Sequence, residues 1–504
     1  MRKKNSLLNF ITGFVPFVIL MFFGFWKVNV WQTNLGADVF ALNQLFFQLF
    51  AYLSLMEAGI GALVQKEYYN LFVDRNEEKI KIYYTLSKRM LRIVALMILL
   101  VGFVLSFFLK YLTNGTSLSL PYMQTVFMIF LAKSVVDYVF CAPRYVLQAD
   151  QKIYKINILM NVYRIIEAVI EVFFIMYGYG YMNVLLATFV VRVLLNLHAN
   201  KIVYKEYPWL KTVKDTKGIT IHGMSYVLTY KIVTAIQDST DVMLISAFIN
   251  PLAVTIYSSY KYITKYLNDF ITMFGTALTS SLGNLMYSTD KKRSLEVFET
   301  INALFFFIAA FLTVALYFVT NSFIVLWVGP DKLIDTMSFY CLLIIFYHNV
   351  ARRPLLVLKD VYALYKETQG VFVAEAIANF VLSILAASQF GITGILVATV
   401  VSTLLTNYYF FPKSMYKQVF NMSCNSHVLK YTLFLGLTGL LCFISHYFIS
   451  FMNVTGYFEW FLHSVVYCVI LLVVLFVIFY LFYGSFRDLT KQGIDFIYHV
   501  VLKK

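Results

Sequence analysis

Apolar runs of about twenty residues follow one another along almost the whole chain, and this feature constrains the fold more than any other. A helix of that length spans roughly 30 Å, which is the thickness of the hydrocarbon core of a bilayer. Of the 504 residues, 60% are hydrophobic and 13% are charged, whereas soluble domains carry about 25% charged residues. We therefore predict an all-α integral membrane protein.

About fourteen runs fit this template, and the polar stretches between them are too short to form a soluble domain. The first run follows Met1-Arg-Lys-Lys, but it is too long for the apolar region of a signal peptide and no cleavage site follows, so it is predicted to be a span. The predicted spans are residues 7–26, 40–64, 91–112, 123–146, 156–177, 182–197, 220–249, 252–287, 299–319, 335–351, 370–388, 391–411, 431–451 and 457–483.

Lys and Arg lie in alternate loops, as expected because cytoplasmic loops retain basic residues. The opposite loops hold only Lys27, Lys110 and Lys332. Both termini are therefore predicted to be cytoplasmic, which requires an even number of spans. The net charge of +15 is explained by this topology, so no nucleic-acid partner is predicted.

Motifs for metal, nucleotide or hydrolytic chemistry are not found in the sequence. The five cysteines are scattered, and the histidines of the apolar segments stand singly, without the spacing of metal ligands. No phosphate-binding glycine loop or hydrolase motif occurs in a usable context. The sequence predicts no metal, no cofactor and no enzymatic activity, and its short outer loops argue against a polymerase or glycosyltransferase.

An internal repeat appears when the chain is shifted on itself by 211 residues, because residues 143–196 then align with 354–407 without a gap. The shift corresponds to six spans, so the two copies are predicted to have the same orientation across the membrane, as in transporters with a substrate site between two parallel halves. The matched pairs include Pro143 and Pro354, Tyr154-Lys155 and Tyr365-Lys366, Gly180 and Gly391, Ala187-Thr188 and Ala398-Thr399, and Asn196 and Asn407.

The repeat predicts four parts of the chain. Residues 1–200 would form an N-terminal lobe of six helices, 201–218 a cytoplasmic linker, and 219–412 a C-terminal lobe of six helices. Residues 413–504 would add a last helix pair and a cytoplasmic tail. This pair lies outside the duplication.

Ionisable residues deep within apolar helices are costly and usually face an aqueous cavity or a partner. Acidic residues in or near the spans are predicted to line such a cavity, to bond between helices or to couple transport to a cation: Glu57, Glu171, Asp238, Asp241, Asp269 and Glu375. Five cations are predicted to lie near the midplane as a candidate anion-binding site: Lys133, Arg164, Lys231, Lys261 and Lys265.

Helical spacing leaves two interpretations of these cations open. Lys261, Lys265 and Asp269 recur every four residues and would form one basic face. The alternative is local pairing, since Lys133 can reach Asp137, Arg164 can reach Glu167, and Lys265 can reach Asp269. Lys231 and Lys261 have no acid three or four residues away, which favours an anion-facing role for these two.

Several segments resemble the polysaccharide transporter, or O-antigen flippase, family of the multidrug/oligosaccharidyl-lipid/polysaccharide (MOP) superfamily. They are Asn34-Leu-Gly-Ala-Asp-Val-Phe, Leu55-Met-Glu-Ala-Gly-Ile-Gly-Ala-Leu, Asp74-Arg-Asn-Glu-Glu-Lys-Ile, Arg352-Arg-Pro-Leu, Glu375-Ala-Ile-Ala-Asn and Gly391-Ile-Thr-Gly-Ile-Leu-Val-Ala-Thr.

The resemblance implies two six-helix lobes around a cationic cavity in a bacterial cytoplasmic membrane. Its implied activity is to flip an oligosaccharide on undecaprenyl diphosphate to the outer leaflet, with membrane lipids, a polysaccharide polymerase and chain-length machinery as partners. A peptidoglycan lipid-precursor flippase would share the chemistry and the fourteen helices. A cation-coupled MATE-type exporter typically has twelve helices and an acid on the first helix, whereas residues 7–26 contain none.

Overall fold

The computed structural model describes residues 2–57, 68, 71–72, 76–150, 152–213, 233, 239–288, 291–449 and 454–497. This part of the chain is built from helices and short connections, without β-strands. Its main helices are α1 (Arg2–Ser54), α2 (Glu77–Ser106), α3 (Leu120–Phe140), α4 (Ala142–Ala149), α5 (Tyr154–Met176), α6 (Gly180–Glu206), α7 (Ser239–Phe248), α8 (Pro251–Ser288), α9 (Lys291–Val328), α10 (Thr336–Ala351), α11 (Arg353–Val361), α12 (Tyr365–Leu405), α13 (Asn407–Val419), α14 (Asn425–Ile449), α15 (Tyr457–Phe482) and α16 (Gly484–Ile497).

Each predicted span overlaps one of these helices, and the prediction of an all-α membrane protein is confirmed. Eight helical segments of the described chain are long and apolar enough to cross a membrane by length and composition. The last two long helices, α14 and α15, expose many large apolar side chains, including Phe458 and Phe482. Such surfaces are expected where the solvent is lipid.

Two glycines divide the longest helices. Gly36 in α1 has φ 79° and ψ 173°, and Gly391 in α12 has φ 58° and ψ −137°. Residues with a Cβ rarely adopt such angles, so each glycine ends one helical run and starts the next. Consequently α1 contains the predicted span 7–26 and residues 40–54 of the next span, and α12 contains 370–388 and residues 391–405 of the span 391–411.

The structure extends the first run beyond its predicted end. Residues 27–35, predicted to form an outer loop, are helical. Trp31 in this segment is buried, and its ring packs edge-on against Tyr181 with the centroids 5.3 Å apart. Burial of such a large aromatic side chain stabilises the additional turns.

The two aligned segments have the same local structure. Pro143 and Pro354 each lie in the first turn of a short helix, α4 and α11, that directly follows a longer one. Gly180 and Gly391 both have positive φ, 74° and 58°. The predicted span 123–146 therefore needs correction, because α3 ends at Phe140 and the proline starts a new helix.

Contacts divide the chain into two compact units, Met1–Thr255 and Ile256–Lys504. In the first unit, α3 packs against α2 and α6, and α5 packs against α1 and α6. In the second unit, α9 is central and packs against α10, α14 and α15. The four-part division at residues 200, 218 and 412 stays a prediction.

Candidate functional site

The basic face of α8 is retained in the structure. Lys261 is half-buried, with its ammonium 5.7 Å from the centre of the Tyr257 ring. In the described chain Lys261 forms no ion pair. Ten residues separate it from Pro251, which places it about 15 Å along the helix. Lys261 is therefore a half-buried cation within a long helix, with only a ring face as a close favourable contact in the described residues.

One turn further along α8, Lys265 pairs with Asp269, which is the local pairing that the sequence offered as an alternative to an anion-facing role. Its ammonium lies 2.7 Å from Asp269, and the two side chains are 63% and 42% exposed. An exposed pair of this kind is weak, so both groups are accessible to a ligand. Lys265 can offer its charge to an anion if Asp269 is displaced.

Lys133 lies in a different setting, because it belongs to an ion pair inside the first unit. Glu171 of α5 is buried and pairs with Lys27 of α1, and its other oxygen lies 3.9 Å from the Lys133 ammonium. The acid that pairs with Lys133 is thus Glu171 rather than Asp137, the one at helical spacing. An ammonium paired in this way is a poor candidate for direct contact with an anionic substrate.

A second ion network lies beside the first, on α3, α5 and α6. Arg192 contacts Glu167 at 2.9 Å and Asp137 at 3.6 Å. Asn196 donates to Asp137 at 2.8 Å and accepts a hydrogen bond from Arg144. Together these groups tie three helices and the short helix α4 into one polar cluster.

Arg164 is not part of this network. Its side chain is exposed, and its guanidinium donates to Asn161 at 3.5 Å, while Glu167 is paired with Arg192 instead. Arg164 and Lys133 therefore do not pair with the same acid among the described residues. Whether Arg164 contacts an anion stays a prediction.

Among the predicted acidic positions, Glu57 accepts a hydrogen bond from Tyr145 at 3.4 Å. Asp241 of α7 is buried next to Thr240, whose hydroxyl lies 2.6 Å from that of Tyr52. Both acids belong to the first unit. Lys231 and Asp238 lie outside the described residues.

Glu375 forms hydrogen bonds across the break at Gly391. It accepts one from Thr403 at 2.8 Å and another from Asn407. One turn along, the Asn379 amide donates to Thr399 at 2.8 Å. The two halves of α12 are thus joined by polar contacts between buried or half-buried groups. An ion-coupling role for Glu375 stays a prediction.

Equivalent amides of the repeat hold an acid in both units. Asn196 bonds to Asp137, and Asn407 bonds to Glu375. Both amides are fully buried. Both copies of the repeat thus have, at the aligned position, a buried asparagine that bonds to an acid. The acids themselves, Asp137 and Glu375, do not align at the shift of 211 residues.

Sequence reasoning missed Lys27 and Arg192 as parts of the buried networks. Lys27 falls in a predicted outer loop, and Arg192 lies five residues from the end of the predicted span 182–197. A signal for Arg192 was present, since a cation in an apolar run needs an acid partner. Helical spacing within one helix cannot show which neighbouring helix supplies that partner.

Described residues line two clefts, each within one unit. One of about 520 Å³ in the second unit is lined by aromatic, polar and apolar side chains that include Tyr317, Tyr340, Tyr347 and His446. The other, of about 440 Å³ in the first unit, is lined by Lys88, Arg92 and Lys201 together with apolar side chains. Of these two clefts, only the one in the first unit has a basic lining.

No protein-family sequence model and no curated protein sequence matches the chain. Its fold, however, matches solved structures. The lipid II flippase MurJ, in an inward closed conformation, superposes with a TM-score of 0.70 at 13% identity, over 96% of this chain and 99% of that chain. The MATE transporter VcmN from Vibrio cholerae gives a TM-score of 0.58 at 14% identity, over 84% and 97% of the two chains.

A multidrug resistance MATE family transporter of the MOP superfamily, in an inward-facing conformation, gives a TM-score of 0.56 at 14% identity, over 83% of this chain and 94% of that chain. These identities are low enough that the similarity concerns the fold. The chain has the fold of these solved structures, which are described as a lipid II flippase and two MATE transporters.

Proposed function

We propose that the protein flips an oligosaccharide linked to undecaprenyl diphosphate from the cytoplasmic to the outer leaflet, for the synthesis of a cell-surface polysaccharide. The observation that carries this proposal is Lys261, a half-buried cation of α8 that forms no ion pair in the described chain. A diphosphate linker supplies the anion that such a group requires. Lys265, one turn away, would add a second charge.

The energetics agree with outward movement of an anionic head group. Across an inside-negative membrane, such a movement is favourable by roughly 2.3 kcal/mol per charge per 100 mV. A binding site that neutralises the diphosphate inside the apolar helices would lower the barrier to crossing. Lys261 fits this role because it forms no ion pair in the described chain, whereas Lys265 would have to exchange Asp269 for the diphosphate.

The comparisons favour a flippase of lipid-linked precursors over an exporter. The MurJ structure matches 96% of this chain, whereas the two exporters match 83% and 84%. The predicted first span also lacks an acid. A flippase for the peptidoglycan precursor is the second candidate, because the neighbour with the higher TM-score is described as a lipid II flippase.

The proposed setting is the bacterial cytoplasmic membrane with both termini in the cytoplasm, as the distribution of Lys and Arg indicates. A polysaccharide polymerase and chain-length machinery are the proposed partners, since a flipped oligosaccharide must be consumed on the outer face. Transport is proposed to proceed by alternating access.

Lys261→Ala is expected to slow outward transfer of a fluorescent undecaprenyl-diphosphate oligosaccharide in proteoliposomes by about tenfold, since a charge-assisted hydrogen bond contributes about 1.5–3 kcal/mol. Combination with Lys231→Ala is expected to slow it further. The matched control is Lys417→Ala, which removes an exposed lysine of α13 and should leave the rate unchanged.

Three results would contradict the proposal in different ways. Equal rates for Lys261→Ala and Lys417→Ala would remove Lys261 from the site. Transfer of a lipid-linked peptidoglycan precursor, but of no other lipid-linked oligosaccharide, would identify the second candidate. Cation-dependent drug efflux without transfer of either lipid would identify an exporter.

A further inference from the structure

The basic cleft of the first unit lies between α2, the end of α3 and α6. Lys88 and Arg92 of α2 and Lys201 of α6 line it, and no acidic residue does. Lys88 lies 5.4 Å from the Tyr84 ring, and neither Arg92 nor Lys201 forms an ion pair within the described chain. Three cations around one cleft without an acid create a positive potential that favours an anionic ligand.

The side chains that continue from the cleft along α2 and α6 are apolar and exposed. On α2, Leu96 and Leu100 follow Arg92 at intervals of four residues and are 57% and 58% exposed. On α6, Leu194 and Val190 continue the face of Lys201 and are 51% and 55% exposed. Residues at these intervals share one helix face. On both α2 and α6, the basic residues of the cleft are therefore continuous with an apolar surface suited to acyl chains.

One hydrogen-bond acceptor in the cleft, the side-chain oxygen of Asn200, is available to an uncharged donor of a ligand. Asn200 is buried, and its Oδ1 has no hydrogen-bond partner among the described residues. Beside it, the Tyr204 hydroxyl is already bonded to Tyr84 at 2.7 Å. A buried acceptor without a donor is unfavourable, so a ligand hydroxyl that donates to it would stabilise the complex.

We infer that this cleft binds the head group of one anionic phospholipid from the leaflet on the side where Lys and Arg cluster. The phosphate accepts hydrogen bonds from Lys88, Arg92 and Lys201, and a hydroxyl of a glycerol head group donates to Asn200. The acyl chains lie along the apolar faces of α2 and α6. Basic pockets between membrane helices on the cytoplasmic side commonly bind such head groups.

The test is a lipid titration of the delipidated full-length protein in detergent, followed by native mass spectrometry. Phosphatidylglycerol is compared with phosphatidylcholine of the same acyl chains. The cleft variant carries Lys88→Gln, Arg92→Gln and Lys201→Gln. The control carries Lys79→Gln, Arg89→Gln and Lys205→Gln, which change the same charge on the same helices at exposed positions outside the cleft.

We expect the wild type and the control to retain one phosphatidylglycerol, and the cleft variant to bind it about a hundredfold more weakly, since each of the three cations near an anionic head group contributes about fivefold. Equal retention by the two variants would overturn the inference, as would equal retention of phosphatidylcholine by the wild type. Displacement of the lipid by inorganic phosphate at millimolar concentration would identify a site for the ion alone, which also overturns it.

Discussion

Glu171→Gln is expected to lower the free energy of unfolding by about 3 kcal/mol, the lower end of the range for breaking a buried ion pair, because it removes the common counter-ion of two half-buried ammonium groups. Glu171 pairs with both Lys27 and Lys133, and the three side chains are 11–27% exposed. The substitution preserves the shape of the side chain and removes only its charge. Unfolding by SDS titration in mixed micelles measures the loss.

The matched control is Glu296→Gln. Glu296 pairs with Arg293 at 3.1 Å, but the side chains of the pair are 52% and 60% exposed. Exposed pairs contribute about 0–1 kcal/mol, so this variant should unfold almost as the wild type does. If Glu171→Gln loses no more stability than Glu296→Gln, the buried network does not support the first unit.

A second combination tests whether the loss comes from unpaired charge. Lys27→Met and Lys133→Met, added to Glu171→Leu, remove all three charges at once. Replacing a buried ionic cluster by apolar side chains is often neutral or stabilising. Recovery of stability is therefore expected, and a further loss would show that the charges themselves are required.

Gly394→Ala is expected to lower the free energy of unfolding by about 1–3 kcal/mol, the range for overpacking at a tight contact. A Cβ at residue 394 would lie 2.5 Å from the carbonyl oxygen of Ala386 and 2.9 Å from its carbonyl carbon. Both residues belong to α12, on opposite sides of the break at Gly391. Relief of this contact requires backbone movement, because backbone atoms cannot rotate away as a long side chain can.

The control for this prediction is Gly370→Ala in the same helix. A Cβ at residue 370 meets nothing within 4 Å. Alanine in a helix interior is favoured over glycine by about 0.5–1 kcal/mol, so this variant should be as stable as the wild type or slightly more stable. The two substitutions are chemically identical, and a loss of similar size in both would show that the contact with Ala386 is unimportant. SDS titration again provides the measurement.

The basic face of α8 could be predicted from the sequence, whereas the ion networks of the first unit could not. Lys261, Lys265 and Asp269 are spaced along one helix, and 3.6 residues per turn place them on one face whatever surrounds the helix. The pairing of Lys133 with Glu171 joins α3 and α5, and that of Arg192 with Glu167 joins α6 and α5. Such pairs depend on which helices pack together.

The sequence by itself determined that the chain is an all-α membrane protein with a repeated segment, and it predicts about fourteen spans, because lipid requires every backbone polar group to be satisfied within each helix. It also indicated Gly180 and Gly391 as equivalent positions. Only the tertiary structure decided where α3 ends, which acid pairs with Lys133, and that Arg164 remains exposed. These features depend on contacts between residues distant in sequence, and the local periodicity of a helix carries no information about them.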